Sequence, residues 1–203
     1  MSKTRSERPG LLKNANYRRL LGASAFGAVS AGAAGIGLDL VAVITLQASA
    51  FEVGLINAVG TVSYLVLSVP VGVLVDRMRK SAIMGFAELL AAVALLWIPV
   101  AFMLGILEYW QLLLVTFVSG FAGMLFSIAS RSVLPDIVDD DNVALAYSRQ
   151  ESATTAIDIV APFVVGQVLR WVAAPFVLLI SSVARVLSSH SGFQTARVAG
   201  ACR

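Results

Sequence analysis

The stretch LLGASAFGAVSAGAAGIGLDLVAVITL, Leu20 to Leu46, carries a single charge, Asp39, in 27 residues. A bilayer core of roughly 30 Å is crossed by about 20 apolar residues in helical form, because lipid offers no partner to unpaired backbone groups. A run of this length reads as a membrane span. The basic segment ahead of it, residues 1–19, resembles the start of a secretory leader, but the apolar run is too long for one and further spans follow.

Working outward, Val53 to Val75 has no charge, Ala82 to Leu104 has only Glu88, and Tyr109 to Ser130 has none. Ala153 to Leu169 is shorter and carries Asp158, and Val172 to Leu187 is interrupted by Pro175 and Arg185. The expectation is an all-α integral membrane bundle over residues 20–187, with the last helix incomplete. The tail SSHSGFQTARVAGACR, residues 188–203, is small, polar and aperiodic and is expected to be disordered. Composition agrees: with 58% hydrophobic and 13% charged residues in 203, a soluble domain would have too little interior to hide its apolar surface.

The charges set the expected orientation. Six of the fifteen basic residues, Lys3, Arg5, Arg8, Lys13, Arg18 and Arg19, fall in the first nineteen positions, which suits a membrane flank and not a nucleic-acid face. Arg77, Arg79 and Lys80 form a second basic group, whereas Gln47 to Glu52 and Gly105 to Glu108 contain no Lys or Arg. The positive-inside rule therefore puts the N-terminus and the Arg77–Lys80 turn in the cytoplasm, with the segment Arg131 to Glu151 on the same side. Its acids, Asp136, Asp139, Asp140, Asp141 and Glu151, weigh little in that rule. Trp97, Tyr109 and Trp110 fall at span ends on the other side, as an aromatic belt would.

Several chemistries find no support. The lone cysteine, Cys202, builds neither a disulfide framework nor a cysteine metal site. The run Asp139–Asp141 is followed at helical spacing by Asn142, Val143, Ala144 and Leu145, so no second carboxylate completes a magnesium site and a solvated loop is expected. His190 lies in the tail, and no G-x-x-x-x-G-K-[ST] loop occurs, so the chain does not power itself with ATP. No enzyme activity, cofactor, metal or nucleic-acid partner is expected.

Ionisable residues inside spans are the first functional candidates, since a charge at the bilayer centre costs roughly 3 kcal/mol on insertion scales. Asp39 and Asp158 lie within their spans and are candidates for binding a cationic substrate or a proton. The bland alternative is that each reaches interfacial water. Glu88 is expected near the cytoplasmic face, paired with a loop arginine such as Arg79. Gly27, Ala31 and Gly35 in the first span, and Gly120 with Gly123 in the fourth, have the spacing of close helix packing. Pro70, Pro99 and Pro162 are common kinds of residue in membrane helices and receive no site.

The sharpest local signal is GVLVDRMRK, Gly72 to Lys80. Gly72, Asp76, Arg77, Arg79 and Lys80 match the pattern G-x-x-x-D-R-x-R-K and resemble the loop signature between the second and third helices of the major facilitator superfamily. The flanking AFEVGLINAVGTVSYLVLSVPVG (Ala50–Gly72), SRSVLPDIVDDDNVALAYSRQES (Ser130–Ser152) and APFVVG (Ala161–Gly166) resemble its transmembrane secretion effectors, related to enterobactin and macrolide exporters. The resemblance covers roughly Leu11 to Leu187. It implies the N-terminal six-helix half of the superfamily's fold and proton-coupled efflux of drug-like or siderophore-like molecules from the cell, in an inner membrane. It also implies that Asp76 and Arg77 belong to a cytoplasmic latch that holds the outward-facing state, with Arg131 as a partner. The fifth-helix motif of exporters matches in part, at Pro162 and Gly166. Ala161 stands ahead of the proline and Gln167 after the glycine, which departs from the family pattern and weakens any antiport argument resting on it.

Transporters of this family pair two six-helix halves around a midplane site. The chain is thus expected to work with a second half-transporter or as a homodimer. The alternative expectation, of another class, is a truncated fragment that transports nothing or serves as an assembly partner.

Overall fold

A computed structural model describes residues 15–77, 80–138, 142–171, 176–179, 181–183 and 185–186. The basic cluster ahead of residue 15, Arg79, the Asp139–Asp141 run and the tail from residue 187 lie outside these. Among the described residues the structure is helical apart from short connecting turns, with no strand. Helix α1 spans Ala15–Leu40 and continues as a π-helical turn, Val41–Thr45; α2 spans Ala50–Arg77, α3 Lys80–Met103, α4 Tyr109–Ile137 and α5 Val143–Val168. Residues 176–179, 181–183 and 185–186 are helical and supply a sixth element.

The segments Leu20–Thr45, Ala82–Met103 and Tyr109–Pro135 are each long and apolar enough to cross a membrane. Helix ends differ most from the sequence expectation on the side of Arg131. There α4 runs on to Ile137 rather than stopping at Ser130, and α5 begins at Val143 rather than Ala153. At 1.5 Å per residue the 29 residues of α4 reach about 44 Å, well beyond a ~30 Å hydrocarbon layer. Both extensions satisfy their backbone groups internally, which allows a helix to continue past the hydrocarbon.

The opposite end is fixed by short, well-bonded turns. Gln47 sits at φ 52°, in the left-handed region, and its Nε2 donates to the Ile44 carbonyl at 3.0 Å, closing the turn after α1. Ser49 and Glu52 then cap α2 reciprocally: the Ser49 amide and hydroxyl donate to Glu52 Oε2 at 2.7 and 2.8 Å. This is an S-x-x-E capping box at the start of α2. Tyr109 Oη donates to the Glu52 carbonyl at 2.8 Å, tying the start of α4 to the start of α2, and Trp97 Nε1 reaches Gln111 Oε1 at 3.3 Å.

The core divides into two apolar layers. One gathers Tyr17, Leu20, Met84, Met124 and Leu134 at the Lys80–Arg131 end. The other gathers Leu38, Val41, Ile56, Leu95, Ile98 and Leu112 at the aromatic end. Helices α3 and α4 pack along their length, α2 against α4, and α1 against α5. Between the layers small residues bring backbones together. A Cβ on Gly120 would lie 3.5 Å from the Gly60 carbonyl oxygen, so α2 and α4 cross with almost nothing between them. Gly35 and Gly123, expected to pack in the same way, face open space.

Candidate functional site

Helix α3 delivers one acid to the layer between the two cores. Glu88 follows Met84 by one turn and points inward, where its side chain is 1% exposed. A carboxylate buried this deeply requires a partner. The partner is Arg185, from the sixth element, whose Nη1 donates to Glu88 Oε2 at 3.3 Å with the arginine side chain 5% exposed. This corrects the expectation that Glu88 pairs with a loop arginine. It also explains how Arg185 sits in an apolar segment without breaking it: the charge is neutralised across 97 residues of sequence. The sixth element is held further by Ser30 Oγ donating to the Ser181 carbonyl at 2.7 Å.

Glu88 occupies the wall of a cavity of ≈ 230 Å³. Helix α1 contributes Ser24, Gly27 and Ala31, α4 contributes Phe126, Ser127 and Arg131, and α5 contributes Tyr147, Gln150, Glu151 and Thr154. Gly27 leaves room here: a Cβ at this position would come 3.2 Å from Glu88 Oε1, tighter than side chains usually pack. Gln150 Nε2 donates to Ser24 Oγ at 2.9 Å, linking α5 to α1 across the cavity. At the rim Arg131 and Glu151 form an exposed pair at 3.5 Å, and Tyr147 Oη donates to the Arg131 carbonyl at 2.6 Å. Three buried polar atoms in this lining have no hydrogen-bond partner among the described residues: Glu88 Oε1, Gln150 Oε1 and Arg185 Nε.

The sequence candidates fall around this cavity to different degrees. Arg131 lines it directly. Asp158 is exposed, and it continues the α5 stripe Tyr147, Gln150, Glu151, Thr154 at helical spacing, beyond the cavity. Asp39 is half-buried near the end of α1 and accepts a bond from Asn57 Nδ2 at 3.2 Å, which ties α1 to α2. Lys80 Nζ donates to the Ser132 carbonyl at 2.8 Å, joining the start of α3 to α4. Gly72, Asp76 and Arg77 belong to the last turns of α2; their side chains, like all of Arg79, lie outside the described part of the structure. Helix α5 runs unbroken through Pro162 and Gly166.

Sequence reasoning missed Glu88, Arg185, Ser24 and Gln150 as members of one site. A signal existed for two of them. Glu88 is the one acid of its span and Arg185 the one base of the last span, and lone opposite charges in apolar helices find each other.

The helices α1, α4 and α5 thus enclose a polar, charge-paired cavity within an otherwise apolar helical bundle. No curated protein matches the chain. The family model for the Major Facilitator Superfamily matches residues 20–189, most of the sequence. The chain therefore belongs to the Major Facilitator Superfamily of membrane transporters.

Proposed function

We propose that the chain moves small amphipathic molecules of the drug or siderophore type out of the cell by proton-coupled alternating access. The observation that carries this reading is the buried Glu88–Arg185 pair in the wall of a cavity lined by polar residues of α1, α4 and α5. Buried charge is costly in a membrane and is seldom retained without use. The direction of transport rests on the resemblance of Ala50–Gly72, Ser130–Ser152 and Ala161–Gly166 to transmembrane secretion effectors.

In this reading the bundle sits in the inner membrane with its N-terminus in the cytoplasm, and it faces a second half-transporter or another copy of itself. Gly72, Asp76, Arg77, Arg79 and Lys80 form the cytoplasmic latch with Arg131. The Lys80–Ser132 bond, which already joins the start of α3 to α4 beside Arg131, supports a close approach of the two. Asp39 and Asp158 take up protons or a cationic group, and Pro162 with Gly166 allows α5 to bend.

The test is efflux of fluorescent amphipathic dyes and of a siderophore from cells making this chain, with and without a proton gradient, against an Asp76→Asn variant. Gradient-dependent efflux lost in the variant supports the reading. Uptake instead of efflux, or transport indifferent to the gradient, refutes it.

A further inference from the structure

The end of α1 opposite Lys80 departs twice from ordinary helix between Val41 and Gln47. Val41–Thr45 is a π-helical turn, in which the Leu46 amide donates to the Val41 carbonyl at 3.2 Å, five residues back. Gln47 then takes φ 52°, a left-handed conformation that is costly for a residue with a side chain, whereas the other connection at this end gives the same step to Gly105 at φ 69°. Such features persist only where their surroundings hold them, and they gather at parts that move.

The surroundings here are two clamps, both to α2. Ahead of the π-turn, Asp39 accepts a bond from Asn57 Nδ2 at 3.2 Å. After it, the Ser49 amide and hydroxyl donate to Glu52 Oε2 at 2.7 and 2.8 Å, and Tyr109 Oη donates to the Glu52 carbonyl at 2.8 Å. With both ends tied to one helix, the chain from Asp39 to Ser49 has a set span, and a π-turn fits one extra residue into such a span. The surplus lies where little packs: Val43 and Ile44 are exposed, whereas Val41 and Ala42 are buried. The clamps are unequal. Several bonds hold the second, but a single bond between half-buried Asp39 and exposed Asn57 holds the first, and water or a solute competes for it there.

We propose that Val41–Thr45 is a slack-bearing joint. While Asp39 holds Asn57, the turn stores one residue of α1. When that bond opens, the turn becomes ordinary α-helix, about 1.5 Å longer and rotated by about 100° at its end. This end of α1 then shifts against α2 while the Ser49–Glu52 turn stays closed. The joint works the same way whatever the bundle carries and in whichever direction, so it stands apart from the export reading.

The experiment is hydrogen–deuterium exchange, read by mass spectrometry, on the full chain in lipid nanodiscs. Asn57→Leu removes the first clamp and is expected to speed exchange over residues 41–47 by about fivefold, the equilibrium shift of one ordinary hydrogen bond, with residues 49–52 unchanged. Deleting Val43 removes the stored residue. That deletion is expected to leave the thermal midpoint within about 4 °C of the unaltered chain and to abolish the effect of Asn57→Leu on residues 41–47. Equal acceleration with and without Val43, acceleration that spreads to residues 49–52, or no acceleration at all overturns the proposal. A larger fall in the midpoint on deletion overturns it too, since slack is dispensable.

Discussion

Two faces of the bundle are exposed to very different degrees of polarity. Along the outer side of α3, Phe86, Leu89, Val93, Leu96, Trp97, Val100 and Met103 are all exposed, and no charged or amide side chain interrupts them. Along α1, α2 and α5, exposed or half-buried polar residues, among them Asp39, Asn57, Thr61, Tyr64, Glu151, Thr154 and Asp158, are interspersed with exposed apolar ones such as Leu55, Leu65, Ile159 and Phe163. The first face is what hydrocarbon accepts, and the polar residues of the second are most stable against water, solute or another polar surface. The described helices thus present one uniformly apolar face and one of mixed polarity. Exposure alone would not have made the distinction; the chemistry of what is exposed does.

The strongest way to break this comparison is to unbalance the pair buried between the two faces. Glu88→Leu leaves Arg185 with an uncompensated charge and is expected to destabilise the bundle by about 3–5 kcal/mol, read as a loss of thermal or denaturant resistance in detergent. The double variant Glu88→Leu with Arg185→Leu should recover most of that loss. A double variant as unstable as the single one would mean that the pair is not the cause.

Next comes a direct exchange of the faces. Val93→Arg puts a charge on the apolar face and is expected to cost about 2.5–3.5 kcal/mol in a membrane-insertion assay of α3, while Thr61→Arg on the mixed face inserts with little penalty in the intact bundle. Equal penalties would show that both faces meet lipid.

Smaller again is the crossing of α2 and α4. Gly120→Val pushes a branched side chain against the Gly60 backbone and should cost about 1–3 kcal/mol of stability. The smallest effect is at the cavity rim. Arg131→Ala removes an exposed pair with Glu151 and should shift stability by less than about 1 kcal/mol, so a larger change would mean that Arg131 has a buried partner.

What the sequence disclosed follows from how each feature is encoded. Three apolar runs, Leu20–Leu46, Ala82–Leu104 and Tyr109–Ser130, were legible because hydrocarbon demands an unbroken apolar stretch, and each coincides with a helix long and apolar enough to cross a membrane. The ends of α4 and α5 were not, since a hydropathy pattern marks where lipid stops and not where the backbone ceases to be helical. Arg131 and Pro135 remain inside α4 for that reason. The capping box at Ser49 and Glu52 was local and readable, yet an apolar count passes over it. The Glu88–Arg185 pair joins the third span to the last, and no nearby spacing announces it. Asp39 drew attention as a lone charge in a long span, but the structure gives it Asn57, a neighbour on the next helix whose own sequence offers no hint of the match.

The cavity beside the Tyr17–Leu134 layer also gives the bundle uneven mechanics. Close-packed interiors resist compression, whereas a void of ≈ 230 Å³ does not. Under hydrostatic pressure or sideways squeeze from the bilayer, the Tyr17–Leu134 and Leu38–Leu112 plugs would hold their shape, and the disc around Glu88 would yield first. The two layers are the stiff parts of the bundle, and the buried Glu88–Arg185 pair sits in the softer part beside them.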